Sequence, residues 1–268
     1  MKRRDFIESL STATVAMGMP LATLEQGYHQ KKVKNSINNM KRKIFITGGG
    51  SWRTFSSYFI SLTGKDNPKI CFVPTATGDS STSINAFYAS CEDMPVRPYL
   101  MKTFISSYDT KRSFEDIIMN MDAIIVGGGN TLNMIAIWKA HGIDKSLRKA
   151  YDSGILMSGG SAGSLCWFES GTTDSRPENL SKVECLGFLK GSHCPHYDAE
   201  KFRRPLYQDL IQKGELPPGY ACDNFAGIYF ENEQFSKSVA ANKESHSYYV
   251  DIVEGKVSEK ELPIEILD

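Results

Sequence analysis

Short apolar runs alternate with segments of helical spacing along the chain from about residue 43. The apolar runs lie at 43–47, 69–74, 96–100, 122–126 and 155–158, and the helical segments at 82–91, 113–120, 133–138 and 144–152. Continuous apolar strands that alternate with helices are typical of a parallel sheet covered on both faces. The pattern therefore predicts an α/β fold with a mostly parallel sheet and helices on both faces.

The pattern changes after residue 226. The runs 227–230, 238–240 and 247–250 are rich in β-branched and aromatic residues and are separated by short polar segments. This arrangement predicts strands linked by hairpins. We expect them to form an antiparallel edge of the same sheet.

The first forty residues have a different character. The chain opens MKRRDFI, continues through a modestly apolar stretch with small residues, and becomes polar from residue 25 to 39. This plan is that of a secretory leader, and RRDFI resembles a twin-arginine signal. We therefore expect a leader and linker over 1–40, a catalytic domain over 41–268, and an exported, periplasmic protein. Glu8 interrupts the apolar stretch, so a cytoplasmic protein is the alternative. Residues 1–40 would then be a plain amphipathic or disordered extension, or the chain would start at Met40.

Composition and charge narrow the classes of function. The chain has 268 residues, 41% hydrophobic composition, and 31 basic against 31 acidic residues. A balanced charge with no basic stripe disfavours a nucleic-acid partner. Nothing reaches about 18 uninterrupted apolar residues, so no lasting membrane span is predicted. The six cysteines include no C-x-x-C pair, which disfavours zinc binding and indicates mostly unpaired thiols, with Cys185 and Cys194 as the exception if the protein is exported.

Residues 159–163 carry the clearest chemical signal. They read GGSAG, between a predicted strand and a helix, which is the context of a nucleophile elbow. Ser161 is the predicted nucleophile, and the N–H of Ala162 points where an oxyanion forms. Gly128 or Gly129, at the end of the neighbouring strand, supplies a second donor. A glycine turn that only binds an anion or packs closely is the alternative. A dinucleotide site is disfavoured, because the spacing is not G-x-G-x-x-G.

A serine nucleophile needs a base and a group that orients the base. Of five histidines, His193 and His196 flank Cys194 and Pro195, and His196 lies 35 residues beyond Ser161. Asp174 and Glu231 are the candidate acids. Asp174 follows the elbow by only 13 residues, whereas Glu231 comes directly after the run 227–230.

Three motifs in order resemble the peptidase E (aspartyl dipeptidase) family. They are VGGGNTL at 126–132, GSAG at 160–163 and PHYD at 195–198, and the resemblance runs from about residue 41 to the last strands. It implies a flavodoxin-like fold shared with class I glutamine amidotransferases, which carry a cysteine in place of Ser161. It also implies hydrolysis of short peptides without metal or organic cofactor.

The resemblance also implies roles for individual residues. It selects His196 as the base and favours Glu231 as its orienter. Asp174 then binds the free amino terminus of the substrate, and an arginine near 203 pairs with an aspartate side chain of the substrate. Because CWFE at 166–169 departs from the best-known aspartyl dipeptidases, strict Asp-X specificity is not implied. The expected substrate-binding residues are Asp174, Arg203, Arg204 and Asn130.

These observations predict a serine peptidase that cleaves short peptides through an acyl-enzyme on Ser161. Two alternatives stay open. A cyanophycinase-like enzyme or an esterase would use the same machinery, and a ligand-binding module would carry a catalytically silent elbow. The sequence does not indicate an oligomeric state.

Overall fold

The computed structural model describes residues 41–106 and 111–267. A compact unit begins at Arg42. The predicted leader and linker over 1–40 lie outside the described residues. Within the described ranges, no helix is both long and apolar enough to cross a membrane.

A parallel core of five strands forms the middle and one side of the larger, central sheet. In spatial order the strands run β1-β5-β4-β2-β3, and each neighbouring pair is parallel. Their bounds are Lys43–Thr47 for β1, Lys69–Val73 for β2, Arg97–Leu100 for β3, Ala123–Val126 for β4 and Leu156–Gly160 for β5. The five apolar runs of the sequence thus form the predicted parallel sheet.

Helices cover both faces of the central sheet, as predicted. One apolar cluster includes Phe55 and Phe59 of α1 with Phe45, and a second includes Trp138 of α4 with Ile44 and Ile46. Successive side chains of β1 therefore enter opposite layers, as strand geometry requires. The helices are α1 (Trp52–Thr63), α2 (Ser81–Cys91), α3 (Phe114–Met119), α4 (Thr131–His141), α5 (Ile143–Asp152) and α6 (Ala162–Leu165).

A second sheet of six strands was not predicted from the sequence. Its order is β13-β12-β9-β8-β6-β7, and helix α7 (Arg203–Gln212) packs on it through Tyr207 and Leu210. Its strands are β6 (Ser170–Thr173), β7 (Ser181–Glu184), β8 (Ser192–Cys194), β9 (Gly219–Cys222), β12 (Ser247–Val253) and β13 (Lys256–Glu261). The strands β6 to β8 are short and mostly polar, so no apolar run in the sequence indicates them.

The late strands divide between the two sheets. β10 (Ala226–Glu231) and β11 (Gln234–Ala240) form the predicted antiparallel edge beside β1, and β14 (Ile264–Ile266) extends it. The run 247–250 belongs instead to β12, which pairs with β9 in the second sheet. Its expected place at the edge of the central sheet was therefore wrong. A strand's partner is chosen by distant residues, and local pattern does not show them.

All six cysteines lie in the described part of the chain and are free thiols. Cys185 and Cys194 are therefore not paired with each other. Burial raises the pKa of both thiols to about 12, so neither is a ready thiolate at neutral pH.

Candidate active site

Ser161 occupies a strained turn between β5 and α6. Its backbone angles are φ 57° and ψ −123°, a region that residues other than glycine rarely adopt. The turn sits directly against β4. A Cβ atom at residue 163 would overlap the carbonyl oxygen of Val126, and one at residue 159 would overlap the carbonyl oxygen of Gly163. The two glycines therefore let the elbow pack closely on the neighbouring strand, which holds Ser161 in place.

Gly128 lies beside the Ser161 side chain. A Cβ atom at residue 128 would stand 3.1 Å from Ser161 Cβ and 3.5 Å from its Oγ. The Cβ direction of Gly129 points instead at the carbonyl of Ala76, in the turn after β2. Ala162 is the first residue of α6, where N–H groups have no acceptor within the helix. Of the two predicted glycine donors, Gly128 is the one whose Cβ direction points at Ser161.

His196 lies on the loop that follows β8. Its own backbone has φ 53°, and its N–H donates to the carbonyl of Gly48, just beyond β1, at 3.2 Å. Its Nδ1 is 2.7 Å from the Oδ1 of Asn224. An amide oxygen only accepts hydrogen bonds, so Nδ1 carries a proton, and in the neutral ring Nε2 has the lone pair. The ring is thus held in the tautomer that a general base needs.

Asn224 is a site residue that the sequence analysis missed. It follows β9 and receives the Nδ1–H of His196, while its own N–H donates to Oδ1 of Asp198 at 2.8 Å. Recognising it required β9, because the residues after that strand reach the same edge as those after β8. The available signal was a polar turn, CDNF at 222–225.

A pocket of about 380 Å³ joins the nucleophile to the base. Ser161 and His196 both line it, together with Gly128 and the ends of β1, β4 and β5. Ligands of parallel sheets bind beyond the carboxyl ends of the strands, and the pocket opens there.

Comparison with known proteins shows the family of the chain. The model of peptidase family S51 matches residues 44–238. The chain belongs to peptidase family S51. It is also 39% identical over 232 residues to the Bacillus subtilis (strain 168) protein named uncharacterized peptidase YgaJ, covering 84% of this chain and 99% of that protein. As a member of the S51 family it is a serine peptidase.

Two solved structures resemble this chain in fold. One is a putative peptidase E protein from Listeria monocytogenes EGD-e, with a TM-score of 0.58 and 19% identity, covering 75% of this chain and 100% of that one. The other is a peptidase from an acI-B1 Actinobacterium, with a TM-score of 0.64 and 14% identity, covering 84% and 95%. At these identities the likeness concerns the fold alone.

Glu231 was the expected orienter of His196, and the structure places it elsewhere. It ends β10 and pairs with Lys43, the first residue of β1, whereas His196 bonds Gly48 beyond the last. Five residues of strand separate Lys43 from Gly48, about 16 Å at roughly 3.3 Å per residue. The carboxylate of Glu231 accepts a hydrogen bond from the Tyr229 hydroxyl at 3.0 Å. The expectation was wrong because β10 runs antiparallel to β1, which carries residue 231 away from the site.

Asp174 lies at the active edge of the S51 peptidase. β6 and β8 are parallel, with Gly171 opposite His193. Asp174 directly follows β6 and His196 is the second residue after β8, so both come after the carboxyl ends of parallel strands. Its side chain is 67% exposed and its Oδ1 stands 3.9 Å from Nη2 of Arg203. Asp174 does not orient His196 either, since Nδ1 of His196 is hydrogen-bonded to Asn224.

Asn130 was expected to bind substrate, and its side chain is used within the protein. Its Oδ1 accepts the N–H of Asn133 at the start of α4, at 2.8 Å, and its Nδ2 donates to the carbonyl of Ser175 at 3.0 Å. Asn130 therefore fixes the segment that carries Asp174.

The two candidate arginines are both engaged in internal ion pairs. Arg203 is buried, donates from Nε and Nη2 to Glu200 at 2.8 and 2.6 Å, and from Nη1 to the carbonyl of Thr172 at 3.1 Å. Arg204 pairs with Glu259 and lies over the rings of Tyr197 and Tyr248. Neither presents an unoccupied fork to a substrate carboxylate, so the expected role is not supported for either.

His193 belongs to the core rather than to the pocket. It is fully buried, stacks on Phe168, and its Nδ1 donates to the carbonyl of Tyr220 at 3.0 Å. Its Nε2 lies 3.0 Å from Oγ of Ser164, in the helix after the nucleophile. Burial lowers the pKa of His193 to about 3, so the ring stays neutral. No group of three or more His, Cys, Asp or Glu side chains within 41–106 and 111–267 is placed to hold a metal ion.

Proposed function

We propose that this serine peptidase hydrolyses dipeptides and other short peptides through an acyl-enzyme on Ser161. The observation that carries the proposal is the elbow itself. Ser161 adopts a strained backbone beside Gly128, in the same pocket as a histidine whose Nδ1–H is bonded to Asn224. Strain of this kind persists where a fold holds a functional group in position.

The chemistry follows the usual course of serine acyl transfer. Nε2 of His196 takes the Ser161 proton as Oγ attacks the peptide carbonyl. The N–H groups of Gly128 and Ala162 stabilise the oxyanion. His196 then returns the proton to the leaving amine, and water, activated by the same Nε2, hydrolyses the ester.

Asp174 is proposed to bind the free amino terminus of the substrate. Its exposed carboxylate directly follows β6, which pairs in parallel with β8, the strand that precedes His196. A carboxylate attracts an ammonium group, and an acceptor at this place limits the enzyme to peptides that end close to the scissile bond. Asn130 supports this role by holding the carbonyl of Ser175.

The test uses a panel of dipeptides with free and N-acetylated amino termini. Ser161→Ala should lower kcat by at least about a thousandfold and abolish labelling by a fluorophosphonate probe. Asp174→Asn should lower the ratio of kcat/KM for free peptides to kcat/KM for N-acetylated peptides. The probe should still label this variant.

Ser57→Ala is the matched control, because Ser57 is an exposed serine on α1 outside the pocket. It should keep both hydrolysis and labelling. Loss of labelling in this control, or a tenth of the wild-type kcat in Ser161→Ala, would contradict the assignment. If the protein cleaves esters but none of the peptides, it is an esterase. If the wild type is not labelled by the probe, the protein is a binding module with a catalytically silent elbow.

A further inference from the structure

We infer that the pocket beside Ser161 receives an apolar, preferably aromatic, side chain, carried by the residue whose carbonyl Ser161 attacks. The inference rests on the proposed peptidase mechanism and specifies its substrate class. It replaces the aspartate side chain that the family resemblance suggested.

The pocket extends from the nucleophile into an aromatic layer between the central sheet and the helices α1 and α2. Trp52 and Phe59 of α1 meet edge to face at 5.8 Å between ring centroids, and Phe72 of β2 stacks on Phe87 of α2 at 4.8 Å. The aromatic lining consists of Phe45, Trp52, Phe55, Phe59, Phe72 and Phe87. Aromatic rings favour a further ring that joins them edge to face or offset.

The part of this lining that the structure describes carries no acidic or basic side chain apart from a histidine. Among the described residues that border the pocket there is no Asp, Glu, Lys or Arg, and His196 is the one titratable side chain of that set. A carboxylate placed among these rings would lose its water and find no partner, which is costly. The arginines that would compensate it, Arg203 and Arg204, bond Glu200 and Glu259 instead. The pocket therefore rejects aspartate and accepts apolar groups.

Helix α2 leaves the space that a side chain would fill. Ser83, Ala86 and Ser90 border the pocket, at spacings of three and four residues that place them on one helix face. Their side chains are small. The resulting volume, about 380 Å³, lies at the lower end of the range of small-molecule sites, about 300–1,000 Å³, and suits a substrate of dipeptide size.

Two alanines of α2 provide a matched pair of variants. Ala86 and Ala89 are both exposed residues of the same helix, but Ala86 borders the pocket and Ala89 does not. Leucine at residue 86 would project into the space, whereas leucine at residue 89 would project into solvent. Both exchanges keep helix propensity almost unchanged, so a difference between them reports on the pocket.

The experiment measures kcat/KM of the full chain and of both variants on Phe-Leu, Ala-Leu and Asp-Leu with free amino termini. The wild type should favour Phe-Leu over Asp-Leu by at least about tenfold, the scale on which pocket contacts discriminate side chains. Ala86→Leu should lower kcat/KM for Phe-Leu by about tenfold more than for Ala-Leu. Ala89→Leu should match the wild type on all three.

Two results would overturn the inference. One is a Ser161-dependent wild-type activity that prefers Asp-Leu or treats Asp-Leu and Phe-Leu alike; the proposed function then stands without the pocket assignment. The other is an Ala86→Leu effect that is equal for Phe-Leu and Ala-Leu, or equal to that of Ala89→Leu. If the wild type hydrolyses none of the three, the proposed function and the inference fall together.

Discussion

The imidazole of His196 is held by an amide rather than by a carboxylate. The 2.7 Å contact between Nδ1 and the Asn224 oxygen orients the ring without placing a negative charge against it. Cysteine peptidases of the papain type use the same neutral group behind a histidine. Asp198 accepts the backbone N–H of Asn224, so a carboxylate does stand one hydrogen bond further away.

This contact distinguishes Asn224 from Glu231 by experiment. Asn224→Ala removes the acceptor of the Nδ1–H, so kcat should fall by about a hundredfold with a much smaller change in KM. Asn224→Asp keeps an acceptor and should retain more activity than Asn224→Ala. Glu231→Gln, at the opposite edge of the sheet, should stay within about twofold of the wild type. Steady-state kinetics checks all three, and a large loss of kcat in Glu231→Gln alone would contradict the assignment.

At the scale of elements, the elbow depends on how closely β5 and α6 approach β4. Glycine at residues 159 and 163 leaves room for the carbonyl oxygens of Gly163 and Val126. A side chain added at either residue would overlap one of these carbonyl oxygens. A backbone carbonyl cannot move aside as the end of a flexible side chain can, so the overlap would not be relieved locally.

Gly163→Ala should therefore destabilise the protein by about 3 kcal/mol or more, through overpacking against β4. Gly255→Ala is the control, since residue 255 has φ 80° but open space around its Cβ direction. It should cost only about 1 kcal/mol, from backbone conformation alone. Urea unfolding measures both variants. Equal losses in the two would show that packing against Val126 is not what requires glycine.

At the scale of the whole molecule, two buried titratable groups make stability depend on pH in opposite directions. Burial raises the pKa of Asp223 from 3.8 to about 6, and Oδ1 of this residue has no hydrogen-bond partner in the part of the chain described. The folded state then binds more protons than the unfolded state between about pH 4 and 6, so this group lowers stability as pH rises through that window. Burial lowers the pKa of His193 from 6.5 to about 3, so below about pH 6.5 the unfolded state binds more protons than the folded state. This group therefore lowers the free energy of unfolding as pH falls.

Asp223→Asn isolates the first effect. The amide keeps an acceptor for the N–H of His246, which bonds Asp223 Oδ2 at 3.0 Å, and carries no charge to bury. Its stability relative to the wild type should increase between about pH 4 and pH 7, by up to about 3 kcal/mol. Asp66→Asn, in an exposed loop, should show no such trend. Urea unfolding at several pH values measures the difference, and a flat difference for Asp223→Asn would contradict the buried-charge explanation.

Local patterns in the sequence were sufficient for the parallel sheet, four of its helices and the nucleophile. The runs that form β1 to β5 are apolar because both faces of those strands are covered. The elbow is recognisable from the glycines beside Ser161. Helix α1, which was not predicted, also has a local signal in the sequence, since Ser51 caps its start and Gly64 its end. These features depend on neighbours a few residues away, which the sequence shows directly.

The tertiary structure alone decided which distant residues meet. The second sheet is built from short polar strands, and only their pairing brings Asn224 to the ring of His196 and places Asp174 after the strand next to β8. The direction of β10 removes Glu231 from the site although its place after a strand suggested otherwise. Pairing and direction are set by contacts between residues far apart in the chain, and such contacts leave no periodicity in any local stretch of sequence.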